Sequence, residues 1–198
     1  MQLGPISLVD RQAKACFIVG NTALPAEVQD TVTSIQGSVT CNPGIKTLSG
    51  VPDVSSGGVS YSSIDFSASS KTPLEFALDE FATASPLAAS DLALFEDRLA
   101  TYLATEAGIR SVGGNLAIKA PKFFQSFQIA RIKAAQGVVE TDPGQTVDHL
   151  LGKVTKNAGS AESKATLDAI TALATQLNML GVLVISEKEL IQELWGCA

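Results

Sequence analysis

Apolar side chains recur at helical spacing through most of this chain, and this periodicity constrains the fold more than any other feature. The first example begins at Leu24 and places four apolar residues on one face: Val28, Val32, Ile35 and Val39. Residues three or four positions apart lie together on a helix surface. Pro25 suits the first turn of such a helix. We therefore predict a first helix from Leu24.

Capping signals indicate where later helices begin. Thr72-Pro73-Leu74-Glu75 combines the hydroxyl, proline and carboxylate of a capping box, and Ser186-Glu187-Lys188-Glu189 has a similar arrangement. Four further helix starts are predicted from a proline or a capping residue: Ser85-Pro86, Ala120-Pro121, Asp142-Pro143 and Ser160. Gly108 and Gly137 are expected to end two of these helices.

Residues 41–70 break the helical pattern with serine, glycine and proline. We expect a long ordered loop here, or alternatively a flexible excursion, and the alternation of Val59 and Tyr61 allows a short strand. The chain is therefore predicted to be mainly α. It is expected to form one domain over residues 1–198, a bundle of six to seven amphipathic helices with one long Ser/Gly-rich loop. Polar residues interrupt the longest apolar stretch, so we predict no transmembrane segment.

The reactive side chains exclude many catalytic and metal sites. The sequence has one histidine, His149, and three widely spaced cysteines. A nucleophilic triad would need His149 as its base, but its place near a helix start suggests a solvated or capping residue. Zinc or haem would need more histidines or clustered cysteines. We expect no cofactor, no metal and no catalytic residue.

Pairs of carboxylates leave a hydrolase as a weaker alternative. They occur at Asp79-Glu80, Glu96-Asp97 and Glu187/Glu189. Neighbouring residues on a helix point in different directions, so these pairs are typical of solvated faces rather than of an acid and base acting together.

The cysteines and the first residues bear on location. Cys16, Cys41 and Cys197 allow three pairings with one cysteine left over. Residues 1–11 lack the basic start and apolar run of a signal peptide. Either the protein is cytosolic, or Met1 precedes a mature secreted chain that begins near Gln2. We favour the secreted interpretation.

Charge is unevenly distributed along the chain. The formal net charge is −6, which disfavours nucleic acid as a partner. Residues 107–139, in contrast, contain five basic residues and no acid. Within this segment we predict a docking surface for a partner, formed by Lys122, Phe123, Phe124, Arg131 and Lys133. The same helical spacing also fits a core helix with cations at its edges.

Three stretches resemble a known group of proteins: residues 20–28, the serine-rich middle and residues 131–137. They are similar to the small secreted proteins of white-rot basidiomycete fungi, which include the non-catalytic small subunit of heterodimeric laccases. The resemblance implies an extracellular protein without copper of its own, which binds and stabilises a larger oxidase.

These observations predict a secreted, non-enzymatic protein that acts through an interface. Its partner would be a larger secreted protein, and its role that of an accessory or stabilising subunit of a secreted oxidoreductase such as laccase. The alternative from another class is a helical carrier of an apolar small molecule.

Overall fold

The computed structural model describes residues 14–176. Over this range the chain forms six α-helices and a three-stranded antiparallel sheet. The helices are α1 (Ala26–Ile35), α2 (Pro73–Glu80), α3 (Leu92–Ser111), α4 (Lys119–Ala135), α5 (Val147–Asn157) and α6, described over 164–176. The strands are β1 (Thr40–Lys46), β2 (Pro52–Ser56) and β3 (Val59–Ser60). The mainly α prediction is confirmed, and the structure also contains a small sheet. Among these helices none is long and apolar enough to cross a membrane.

The sheet spans residues 40–60, so most of its length replaces part of the long loop that we expected over residues 41–70, and the short strand allowed at Val59 is β3. β1 pairs with β2, and β2 pairs with β3 across a turn of Gly57 and Gly58. Both glycines have positive φ, 51° and 86°, as the tightest hairpin turns require. β1 is almost fully exposed and β2 almost fully buried. Neither strand therefore has one buried and one exposed face, the arrangement that gives a half-buried strand its alternating pattern.

Helix α1 begins directly after Pro25, close to its predicted start, but it buries none of its residues completely. Its flanks attach it to the rest of the protein. A disulfide joins Cys16, before the helix, to Cys41 on β1. The hydroxyl of Ser111 accepts hydrogen bonds from the backbone N–H groups of Val19, at 3.2 Å, and Gly20, at 2.8 Å. The structure thus selects one of the three cysteine pairings, while Cys197 lies outside the described residues.

Helix α3 differs from its prediction at both ends. Ser85-Pro86 leads into a short 3-10 turn, and α3 starts later, where the Asp91 carboxylate accepts a hydrogen bond from Leu94 N at 3.1 Å. Gly108 does not end the helix, which continues to Ser111. A Cβ at Gly108 would lie 2.5 Å from the backbone oxygen of Phe17. The glycine therefore allows close approach of two segments rather than helix termination.

Helix α2 starts as predicted, but its cap comes from a distant part of the chain. The Glu75 carboxylate accepts a hydrogen bond from Thr72 N at 3.4 Å, as in a capping box. The Thr72 hydroxyl donates instead to Glu162 Oε2 at 2.6 Å, and Leu74 N donates to Glu162 Oε1 at 2.9 Å. Glu162 precedes α6, so this cap joins the two helices.

The later helix starts are shifted from their predicted positions. Asp142-Pro143 leads into a 3-10 turn, and α5 begins after Thr146, whose hydroxyl accepts a hydrogen bond from His149 N at 3.3 Å. Ser163 rather than Ser160 precedes α6. The helix predicted from Ser186 lies outside the described residues.

The core joins the sheet region to the helices. The ring of Tyr102 on α3 makes edge contacts with Tyr61 and Phe81, with centroid distances of 5.0 and 5.7 Å. Its hydroxyl donates a 2.6 Å hydrogen bond to the backbone oxygen of Ile64. Helix α4 packs against α2, α3 and α5 and buries ten of its 17 residues. α4 is therefore a core helix along most of its length.

Candidate functional site

Helix α4 carries the five residues that we predicted to bind a partner: Lys122, Phe123, Phe124, Arg131 and Lys133. The structure does not bring them together on one surface. Phe124 is completely buried and Arg131 is 2% exposed. Both lie on the helix face that packs into the core, so a docked partner would not reach them. For these two residues the core-helix alternative is correct and the docking prediction was wrong.

Arg131 connects α4 to α6. Its Nε donates a 3.0 Å hydrogen bond to the backbone oxygen of Leu173, and Nη1 donates to the side chain of Gln128. The guanidinium also lies 5.7 Å from the ring centroid of Phe127. Burial lowers the pKa of Arg131 to about 10. These contacts give Arg131 a structural role.

The remaining three predicted residues lie towards opposite ends of α4. Lys133, near its C-terminus, forms a 3.0 Å ion pair with Glu96, and both side chains are partly exposed. Exposed pairs of this kind contribute little stability. Lys122 and Phe123, near its N-terminus, line a cleft. This end of the predicted surface therefore belongs to a concave site.

The cleft lies between α1, α3, α4 and α5 and has a volume of about 260 Å³. Its charged residues come from all four helices. Four are basic and two are acidic: Arg110, Lys119, Lys122, Lys153, Glu27 and Glu106. The formal charge of the lining is therefore +2, although the whole chain carries −6. A concave site whose lining carries a net positive charge raises the local concentration of anionic ligands.

Glu106 organises one part of the cleft. Its Oε1 accepts a 2.9 Å hydrogen bond from Arg110 Nε and lies 2.8 Å from Arg110 Nη2, and its Oε2 lies 2.8 Å from Lys122 Nζ. The Glu106 side chain is only 5% exposed, compared with 20% for Arg110 and 11% for Lys122. A buried carboxylate with cations on both oxygens holds those cations in fixed positions.

Lys122 is the most buried cation of the cleft. Its ammonium nitrogen lies 3.8 Å from the centroid of the Phe123 ring, within the range of a cation–π contact. Burial lowers the pKa of Lys122, and the charge of Glu106 opposes that shift. The side chain is therefore held by Glu106 on one side and by an aromatic ring on another.

Lys119 and Lys153 form the more accessible part of the cationic lining. Both are partly exposed. Within residues 14–176 neither forms an ion pair with a carboxylate. Glu27, on the first turn of α1, is an exposed carboxylate of the same cleft. The two lysines can thus accept an external anion without first leaving an internal partner.

Sequence analysis located part of this site and missed the rest. Three of the five bases of the acid-free segment 107–139 reach the cleft: Arg110, Lys119 and Lys122. The spacing of Glu106 and Arg110, four residues apart on one helix, was an available signal. Lys153 and Glu27 belong to helices distant in sequence, and no local pattern connects them to α3 and α4.

The residues considered for catalysis take up other contacts. His149 is exposed at the first turn of α5. Asp97 accepts a 2.7 Å hydrogen bond from Ser56, and Glu80 lies 3.8 Å from Arg98. In the described part of the chain no three His, Cys, Asp or Glu side chains are grouped as a metal site would require. Glu187 and Glu189 lie outside that part.

A family model described as Domain of unknown function (DUF7143) matches residues 18–178. This match covers most of the chain, including every helix that lines the cleft, and the chain belongs to this family. No curated protein and no solved structure matches the chain.

Proposed function

We propose that this member of the DUF7143 family is a non-enzymatic binding protein that acts through an interface with a larger protein, and that the cationic cleft is part of this interface. One observation carries the proposal: four cations from three helices line one cleft of a chain whose net charge is −6. Such a local concentration of positive charge favours binding of an acidic surface.

The arrangement of the cleft supports binding in a fixed orientation. Glu106 holds Arg110 and Lys122 at hydrogen-bond distance, so these side chains have already lost much of their freedom. A partner that binds prearranged side chains loses less conformational entropy on association. The partly exposed lysines, Lys119 and Lys153, would then set the strength and salt dependence of the contact.

In its more specific form, the proposal is an accessory subunit that stabilises a secreted oxidoreductase such as laccase. The resemblance to small secreted fungal proteins supports this form, and the Cys16–Cys41 disulfide is compatible with an oxidising, extracellular location. A subunit that binds only the folded enzyme stabilises it by mass action. Its effect would therefore be a higher unfolding temperature of the partner.

Native mass spectrometry tests the proposal directly. The protein would be isolated from its own producer under gentle conditions without reducing agent, and we expect a stoichiometric complex with a larger chain. Recovery of the monomer alone at concentrations above micromolar would refute an accessory-subunit role.

Charge variants test whether the cleft forms the contact. With the partner in hand, we expect Lys119→Glu to weaken the complex. Lys46→Glu is the matched control, because Lys46 is an exposed lysine that does not line the cleft. Equal effects of the two substitutions would show that net charge, and not the cleft, governs binding.

A further inference from the structure

We infer that the cleft binds an acidic peptide segment through two neighbouring carboxylate side chains, an inference that rests on the proposed function because it specifies the chemistry of the partner. Lys119 and Lys153 supply the two charges that such a segment would neutralise. The inference follows from which cations of the cleft are already occupied, from the apolar part of its wall and from the geometry of its arginine.

The cations fall into an occupied and an available pair. Arg110 and Lys122 share the buried carboxylate of Glu106, each at 2.8 Å. Lys119 and Lys153 have no carboxylate partner among residues 14–176. Because Glu106 pairs with Arg110 and Lys122, the other two cations of the cleft remain available to external carboxylates. Two such groups would match the formal charge of +2 that the lining carries.

The walls of the cleft suit the stems of amino-acid side chains. Leu103, Val28 and Phe123 contribute apolar surface between the charged groups. The volume of about 260 Å³ lies just below the range of typical small-molecule pockets, about 300 to 1,000 Å³. The cleft can thus take a few side chains of an extended segment rather than a helix or a folded element.

The available cations of the cleft are ammonium groups. At Arg110, Nε donates a 2.9 Å hydrogen bond to Glu106 Oε1 and Nη2 lies 2.8 Å from the same oxygen, so one edge of the guanidinium already faces an internal carboxylate. Lys119 and Lys153 lie on two different helices and act as separate point charges. Each can pair with one carboxylate of an acidic segment, which is the occupant to which we commit.

Fluorescence anisotropy with short labelled peptides tests the inference. The probe is a Gly/Ser peptide with a central Glu-Glu, compared with the same peptide carrying Gln-Gln or a single phosphoserine. We expect the Glu-Glu peptide to bind at least tenfold more tightly than the Gln-Gln peptide. Equal affinity for these two, or tighter binding of the phosphoserine peptide, would overturn the inference.

Substitutions in the cleft provide the second readout with the Glu-Glu peptide. Lys119→Ala and Lys153→Ala should each weaken binding by about three- to fivefold, the effect of losing a partly exposed ion pair. Glu27→Gln removes a competing carboxylate and should tighten binding by about two- to fivefold, a gain that misfolding would not produce. Lys46→Ala is the control and should leave affinity unchanged. An unchanged affinity in both lysine variants and in Glu27→Gln would refute the inference.

The two proposals can fail separately. If native mass spectrometry captures a larger partner whose binding is insensitive to Lys119 and Lys153, the inference about the cleft is wrong and the proposed function stands. If the Glu-Glu peptide binds as expected but no larger chain is captured from the producer, the specificity of the cleft stands and the accessory-subunit role is wrong.

Discussion

Replacing the carboxylate of Glu106 would test how the cleft is held together. Glu106→Gln preserves the size of the side chain and removes the charge that Arg110 and Lys122 share. Lys122 is only 9% exposed in the folded protein. In the variant its ammonium group would therefore stay largely buried without a counterion. Removing one partner of a buried ion pair costs about 3 to 5 kcal/mol. We expect about 3 kcal/mol, because Arg110 is partly exposed and can be hydrated in the variant.

A double-mutant cycle separates the ion pair from other effects of the substitution. Urea unfolding would be measured for the wild type, Glu106→Gln, Lys122→Met and the double variant. Lys122→Met alone should cost about 2 kcal/mol, since Glu106 keeps its bonds to Arg110. The double variant should be more stable than the sum of the single effects by about 1 to 2 kcal/mol. Additivity within about 0.5 kcal/mol would refute the view that Glu106 and Lys122 stabilise each other.

The pH dependence of stability provides an independent check. Burial lowers the pKa of Lys122 below its ordinary value of 10.5, and the charge of Glu106 limits that shift. Between the folded and unfolded pKa values the unfolded chain binds more protons, so the contribution of Lys122 to stability rises with pH. In Glu106→Gln the folded pKa should fall further, and this rise should begin at lower pH. Identical pH profiles for the variant and the wild type would contradict this reasoning.

Three further predictions concern the contacts that position the helices. Removing the disulfide with Cys16→Ser and Cys41→Ser should lower the free energy of unfolding by about 3.5 kcal/mol, the value for a sequence separation of 25 residues; a loss below 1 kcal/mol in urea unfolding would contradict it. Gly108→Ala should cost about 1 to 3 kcal/mol, because its Cβ would lie 2.5 Å from a backbone oxygen. Gly152→Ala, in open space on α5, is the matched control and should stabilise by about 0.5 to 1 kcal/mol; the same sign for both glycines would refute the steric argument. Glu162→Ala should lower stability by about 1 kcal/mol through loss of the α2 cap, measured by thermal unfolding, and an unchanged melting temperature would show that this cap contributes nothing.

Local patterns in the sequence predicted that helices are present better than they predicted the residues at which those helices begin and end. The apolar spacing of Val28, Val32 and Ile35 corresponds to α1, which ends before the predicted Val39, and the capping sequence at Thr72 corresponds to the start of α2. The prediction that Gly108 ends α3 was wrong, because the sequence does not distinguish a glycine that ends a helix from one that permits close packing. The second role depends on Phe17 and Val51, which are far from Gly108 in the chain.

Strands β1 and β2 were not predicted, for a related reason. β1 is exposed along most of its length and β2 is buried along most of its length, so in neither strand does burial alternate from one residue to the next. Strand pairing is a contact between segments, and β1 meets β2 through a register that contains an irregularity. No local pattern specifies such a pairing.

The sequence by itself determined the helix content, the acidic net charge and the acid-free basic segment, because these depend on residues that are neighbours in the chain. Only the tertiary structure decided what each charge does. Arg131 and Lys119 come from the same helix and the same basic segment, yet packing buries Arg131 against α6 and leaves Lys119 at an open cleft. Burial and counterions depend on distant elements that pack together, and they distinguish a structural cation from one that is free to bind a partner.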